Sequence, residues 1–258
     1  MAMVIPDNFK SFLDELGDTA RFTWRFLSEG FKPRYELKEL IRQSYFIGYK
    51  SLPLVGITAF IMGLVLTIQS RPTLVEFGAA SLLPNMVAVS LVREISPMIT
   101  ALIAAGKIGS GIGAELGSMK VTEQIDAMEV SGTNPFKYLV ATRVLATTLM
   151  LPILTLWSNA IGLYGGFLGV NIKGVVSWDL YWSQVFNALS YSDFLPALIK
   201  SFFFGFTIGV IGCYKGYNSS KGTEGVGQSA NSAVVVSSLL IFVLDLIAVQ
   251  ITDLLGFN

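Results

Sequence analysis

SLPLVGITAFIMGLVLTI, residues 51–68, is an eighteen-residue run with no formal charge. As a helix rising about 1.5 Å per residue it covers most of a hydrocarbon core roughly 30 Å thick, and with its flanks, 45–69, it crosses one. Pro53 and Gly56 stand where an early kink is expected. Outward from this span the pattern recurs at 82–106, 138–170, 194–214 and 230–253, which gives five expected spans. Between the first two lies an apolar piece, 73–80, that follows Arg71-Pro72 and holds Leu74, Glu76 and Phe77.

Upstream, residues 7–31 place Phe9, Phe12, Leu13, Leu16, Ala20, Trp24, Leu27 and Phe31 on one helical face, with Lys10, Asp14, Asp18, Arg21 and Arg25 elsewhere. That is the pattern of an amphipathic helix lying in a membrane interface, with Pro33 ending it. The expected fold is therefore an all-α polytopic membrane protein: an N-terminal interfacial segment, 1–44, then a five-span transmembrane unit, 45–258. Acidic Asp7, Asp14 and Glu15 do not suit the basic start of a cleaved signal peptide.

Composition agrees with a membrane chain. Charged residues are 14% of 258, against about 25% in soluble domains, and hydrophobic residues 52%. The formal net charge is zero, with no basic groove, which argues against a nucleic-acid partner. Histidine is absent and Cys213 is the single cysteine, so no metal centre, internal disulfide or His-based triad is expected.

The most charged interlude between spans is 109–135, GSGIGAELGSMKVTEQIDAMEVSGTNP. Thr122 is expected to cap a short helix with Glu123 in its first turn, and Gly132 with Asn134-Pro135 to stop it. Val121, Ile125 and Met128 then form an apolar stripe and Glu123, Asp126 and Glu129 an acidic face, the makings of a docking surface. Two phosphate-loop patterns fail here. Gly109-x-Gly111-x-x-Ala114 follows a span and not a strand, and Gly106-Lys107 lacks the upstream Gly and the following Ser or Thr. Nothing on this chain is expected to bind ATP.

Basic residues orient the chain. Eight Lys or Arg occur up to Lys50, four around the central stretch and two at 215–221, whereas the opposite loops hold Arg71 and Lys173. This expects the N-terminus and 109–135 in the cytoplasm. Within the spans, Arg93 and Glu94 are costly and should face a cavity or partner, in a span that is either continuous or broken near Ser96-Pro97. Asp245 is expected to pair with Arg93 or Arg143, or to relay protons. Small-residue patterns at Gly162/Gly166, Gly165/Gly169, Gly205/Gly209 and Gly212/Gly216 allow close helix approach, within the chain or between two copies.

At 113–146, GAELGSMKVTEQIDAMEVSGTNPFKYLVATRVLA, the chain resembles the MlaE/YrbE family of ABC-transporter permeases. The carriers are Glu115-Leu116-Gly117-Ser118-Met119, Glu123-Gln124-Ile125-Asp126-Ala127-Met128, Asn134-Pro135 and Arg143; a mild departure is Thr142 where the family commonly has Pro. The resemblance implies a homodimeric, non-catalytic permease in the inner membrane of a Gram-negative bacterium. It further implies movement of phospholipids between the two membranes and maintenance of lipid asymmetry. Implied partners are a cytoplasmic ATPase that binds ATP and magnesium, a STAS-domain protein bound to that ATPase, and a periplasmic MCE-domain ring. Glu115, Glu123, Gln124, Asp126 and Glu129 would meet the ATPase, and Leu66, Leu74, Phe77, Arg93 and Glu94 would line the lipid pocket. Rival readings are a proton-coupled secondary transporter using Glu94 and Asp245, and a membrane scaffold with no transport role.

Overall fold

The computed structural model describes residues 7–30 and 36–256, with side chains from residue 14 onward within them. The expectations placed on Phe9, Lys10, Phe12, Leu13, Phe31 and Pro33 fall outside those described groups. All regular structure among the described residues is helical. Two helices, α1 (Asp7–Gly30) and α2 (Leu37–Ile47), precede the long α3 (Leu52–Glu76) and α4 (Ala80–Val121). A short α5 (Gln124–Val130) follows, then α6 (Phe136–Asn171), α7 (Trp178–Ala188), α8 (Tyr191–Tyr217) and α9 (Thr223–Leu254). Five helical stretches are long and apolar enough to cross a membrane, the first running from α2 through α3.

Helix α6 is the axis of the bundle, with α3, α8 and α2 packed around it. Glycines set the closest approaches. A Cβ on Gly63 would sit 1.9 Å from the Gly162 carbonyl oxygen, and one on Gly205 would sit 2.5 Å from that of Thr147. The pairs at 162/166 and 165/169 thus seat α3 on α6, and those at 205/209 and 212/216 seat α8 on α6 and α4. The contacts these patterns make are therefore within the chain.

Four local features either settle what the expected spans left open or differ from them. Helix α3 runs through Pro72 to Glu76, and Arg71 reaches across to the α6 end, donating to the Val170 carbonyl at 3.0 Å. Span two is continuous: α4 passes Ser96-Pro97 unbroken because it widens into π-helical turns at Leu91–Ile95 and Ala105–Gly109, the first just ahead of Pro97. Residues 110–121 belong to the same helix and are not a loop. Residues 171–191, whose Trp178, Tyr181 and Trp182 between two spans read as a polar, aromatic interfacial loop, instead hold a helix, α7, capped by Ser177 and folded back onto the start of α4. In it Tyr181 is fully buried and donates to the Leu163 carbonyl at 2.9 Å; burial pushes its phenol pKa upward.

Helix α1 docks on the bundle by a second face, distinct from the one expected to lie in the membrane interface. Phe22 and Phe26 are buried in the bundle, with the Phe22 ring 5.1 Å from Phe136 and 5.6 Å from Tyr214, while Leu16, Trp24 and Leu27 stay exposed. Both faces are thus apolar: one holds the bundle and the other is left for a membrane interface.

Candidate functional site

The first π turn of α4 decides where Arg93 and Glu94 go. A π turn accommodates an extra residue, which re-aims the side chains it carries without breaking the helix, and such turns often occur at functional sites. Here both charges turn toward α8. That helix starts with a capping box: the Ser190 backbone N–H and hydroxyl both donate to Asp193 Oδ2 at 2.8 Å. The other oxygen, Asp193 Oδ1, is ion-paired with Arg93 Nε at 2.7 Å. Two turns further along α8, Lys200 places its ammonium between Glu94 at 2.5 Å and Asp245 of α9 at 2.9 Å.

Three spans therefore meet through five charges. Lys200 is only 6% exposed, whereas Glu94 is 45% exposed and faces an opening. With all five ionised the cluster carries one surplus negative charge. Lys200 and Asp245 each lie about 14 Å, and Glu94 about 21 Å, from the ends of their helices on the α7 side. Charges at that depth are expensive, and a buried ion network is weak evidence for stability, so a functional reason is the better account.

The opening is in two joined parts. A polar pocket of about 150 Å³ is walled by Arg93, Glu94, Asp193 and Lys200. It shares Pro196, Lys200, Ala248 and Thr252 with a cleft of about 410 Å³ between α8 and α9, whose remaining walls include Leu195, Ile199, Phe203, Leu244 and Ile251. One end can hold a charged group and the other an alkyl chain.

Of the residues expected at a lipid pocket, Arg93 and Glu94 line this opening. Leu66 and Leu74 instead pack on the apolar cluster beneath α7, with Leu83, Val87 and Leu91, and Phe77 lies 78% exposed beyond the end of α3. Asp245 pairs with Lys200, and among the described residues neither with Arg93, which pairs with Asp193, nor with Arg143, which pairs with Glu115. Sequence reasoning missed Lys200 and Asp193. The available signal was a lysine inside an expected span, facing the same desolvation cost as Arg93.

At the opposite end, Ile125 is buried and Met128 packs beside it, so the apolar stripe of α5 is held by the bundle. Glu123, Gln124, Asp126 and Glu129 are exposed. Thr122 does not cap α5; its hydroxyl donates back to the Ser118 carbonyl at 2.8 Å, and Glu123 makes the reversal with φ 57°. Asp126 is bound by Lys120 at 2.9 Å, and Glu115 by the buried Arg143 at 2.8 Å.

A five-span helical bundle with a buried ion network opening onto an apolar cleft is a polytopic membrane protein with an internal amphiphilic site. The chain belongs to the permease MlaE family, whose model matches residues 40–251, in agreement with the resemblance at 113–146. It is similar to a probable ABC transporter permease protein of Rickettsia typhi, 41% identical over 99% of this chain and 97% of that protein. A probable ABC transporter permease protein of Synechocystis is 38% identical over 81% of this chain and 80% of its own. The intermembrane phospholipid transport system permease protein MlaE of Haemophilus influenzae is 37% identical, covering 82% of both.

Proposed function

We propose that this chain is the membrane-spanning subunit of an ATP-driven ABC transporter that moves phospholipids between the inner and outer membranes of a Gram-negative bacterium, so maintaining lipid asymmetry. The observation that carries the reading is the joined cleft: a five-charge pocket for a headgroup continuous with an apolar channel for an acyl chain. The names of the relatives agree with it. The chain itself makes and breaks no covalent bond; ATP and magnesium belong to a partner ATPase. That ATPase would seat on α5, whose acidic residues are exposed around a helix anchored by Ile125. A second copy of the chain, a periplasmic MCE-domain ring, and a STAS-domain protein on the ATPase complete the assembly. By the distribution of Lys and Arg, the α5 end faces the cytoplasm and α7 the periplasm.

Lys200 is the residue to test. In vesicles containing the full complex, Lys200→Met should lower ATP-dependent transfer of a labelled phospholipid roughly tenfold or more, because removing a shared cation leaves Glu94 and Asp245 unpaired. ATPase binding should persist. Unchanged transfer overturns the proposal. Transfer that follows a proton gradient and ignores ATP would favour the proton-coupled carrier, a reading disfavoured by the ion-pairing of both its carboxylates with Lys200.

A further inference from the structure

The second π turn of α4, Ala105–Gly109, carries a charge that the cleft of α8 and α9 does not use. Lys107 is exposed and its ammonium donates to the backbone carbonyl of Lys50, in the turn between α2 and α3. The Lys50 ammonium lies 3.9 Å from the centroid of the Phe46 ring. Among the described residues neither lysine has a carboxylate within ion-pair distance, whereas the nearby Arg42 is matched by Glu39 at 3.5 Å and Glu115 by Arg143. Two unneutralised cations thus converge on a cleft of about 370 Å³ between α2 and α4, whose walls include Ile47, Ile108 and Ile112.

Its level in the membrane is fixed by its neighbours. Lys50 immediately precedes the uncharged run that crosses the bilayer, and the exposed Tyr45, Phe46 and Tyr49 beside it form the aromatic edge found at headgroup depth. Tyr138 donates to Glu39 at 3.4 Å, which ties α2 to the start of α6 and so to the α5 side of the bundle. Lys107 is about 20 Å along α4 from Glu94, so this cleft is separate from the five-charge pocket. The space over Gly111, on the wall of this cleft, is open: a Cβ there would meet nothing within 4 Å.

We propose that this cleft binds the phosphate of an anionic phospholipid from the leaflet on the α5 side, Lys50 and Lys107 pairing with the phosphate and one acyl chain lying on Ile47, Ile108 and Ile112. A lipid is favoured over a soluble phosphate because the cations stand at headgroup depth with an apolar wall leading from them. The binding claim does not depend on the transport reading.

The test is native mass spectrometry of the purified full-length chain in detergent, titrated with phosphatidylglycerol, phosphatidylcholine or inorganic phosphate. Wild type should retain phosphatidylglycerol roughly tenfold better than phosphatidylcholine. Lys50→Gln/Lys107→Gln should erase that preference, and Gly111→Phe should erase it with both lysines present. Lys200→Met and the distant Lys221→Gln should keep it. Four results would overturn the proposal: phosphatidylglycerol retained equally by the double lysine variant, its loss in Lys200→Met, lysine-dependent binding of inorganic phosphate with no competition from lipid, or lysine variants that keep the lipid and lose only a co-purifying protein.

Discussion

Arg143 shows how unevenly one ion pair can be loaded. Its side chain is 2% exposed, while that of its partner Glu115 is 52% exposed. One Arg143 nitrogen donates to the Leu139 carbonyl at 2.9 Å and another to Glu115, leaving Nε with no partner among the described residues. Deleting the carboxylate strands a buried guanidinium, whereas deleting the guanidinium leaves a carboxylate that water can reach. Glu115→Ala should therefore cost about 2 to 4 kcal/mol, and Arg143→Met, which fills the volume with an apolar chain, about 1 kcal/mol or less. Thermal melting of the purified variants checks the order; equal losses would mean the pair does not hold α4 to α6. Glu115 was legible as part of a charged segment, but its partner was not, because sequence cannot show which carboxylate meets a buried arginine on another span.

Among the elements, α4 was the hardest to read. Hydrophobic periodicity assumes a constant turn, and two π turns re-phase α4 twice, so neither the direction of Arg93 and Glu94 nor the continuity past Pro97 could follow from spacing. The five spans were legible because twenty apolar residues have few other stable fates. Helix α7 was not, since a short aromatic helix looks like an interfacial loop until Tyr181 is seen buried. A π turn can be regarded as an α-helix with one residue inserted, and removing that residue leaves both flanks in register. Deleting Ile95 should therefore give a chain that inserts and melts cooperatively, but with Arg93 and Glu94 turned from Asp193 and Lys200 and lipid transfer abolished. Deleting Val87, in the regular part of the same helix, rotates everything beyond it by about 100° and should prevent folding. If both deletions behave alike in melting and transfer assays, the first π turn has no aiming role.

Across the whole molecule, the two candidate contact regions sit at different levels of one helical rod, α5 beyond one end and the five-charge pocket about 21 Å in from the other. Helix α4 spans 42 residues, about 63 Å as an α-helix, from beneath α7 to the turn that leads into α5. Helices α8 and α9, which carry Asp193, Lys200 and Asp245, pack along the same rod between residues 96 and 121. Because the regions share no side chain, their functions should separate cleanly. Glu129 is the better probe of the α5 face than Asp126, whose carboxylate is occupied by Lys120. Glu129→Lys should leave the melting temperature and lipid retention of the isolated chain unchanged while abolishing capture of the partner ATPase. Glu94→Gln should do the reverse, keeping the ATPase and reducing lipid transfer roughly tenfold. Measuring ATPase pull-down, ATP turnover and lipid transfer on the same preparations decides between this arrangement and a passive scaffold. A scaffold predicts that Glu94→Gln leaves lipid transfer untouched, and a single fused site predicts that both variants lose the ATPase and the lipid together.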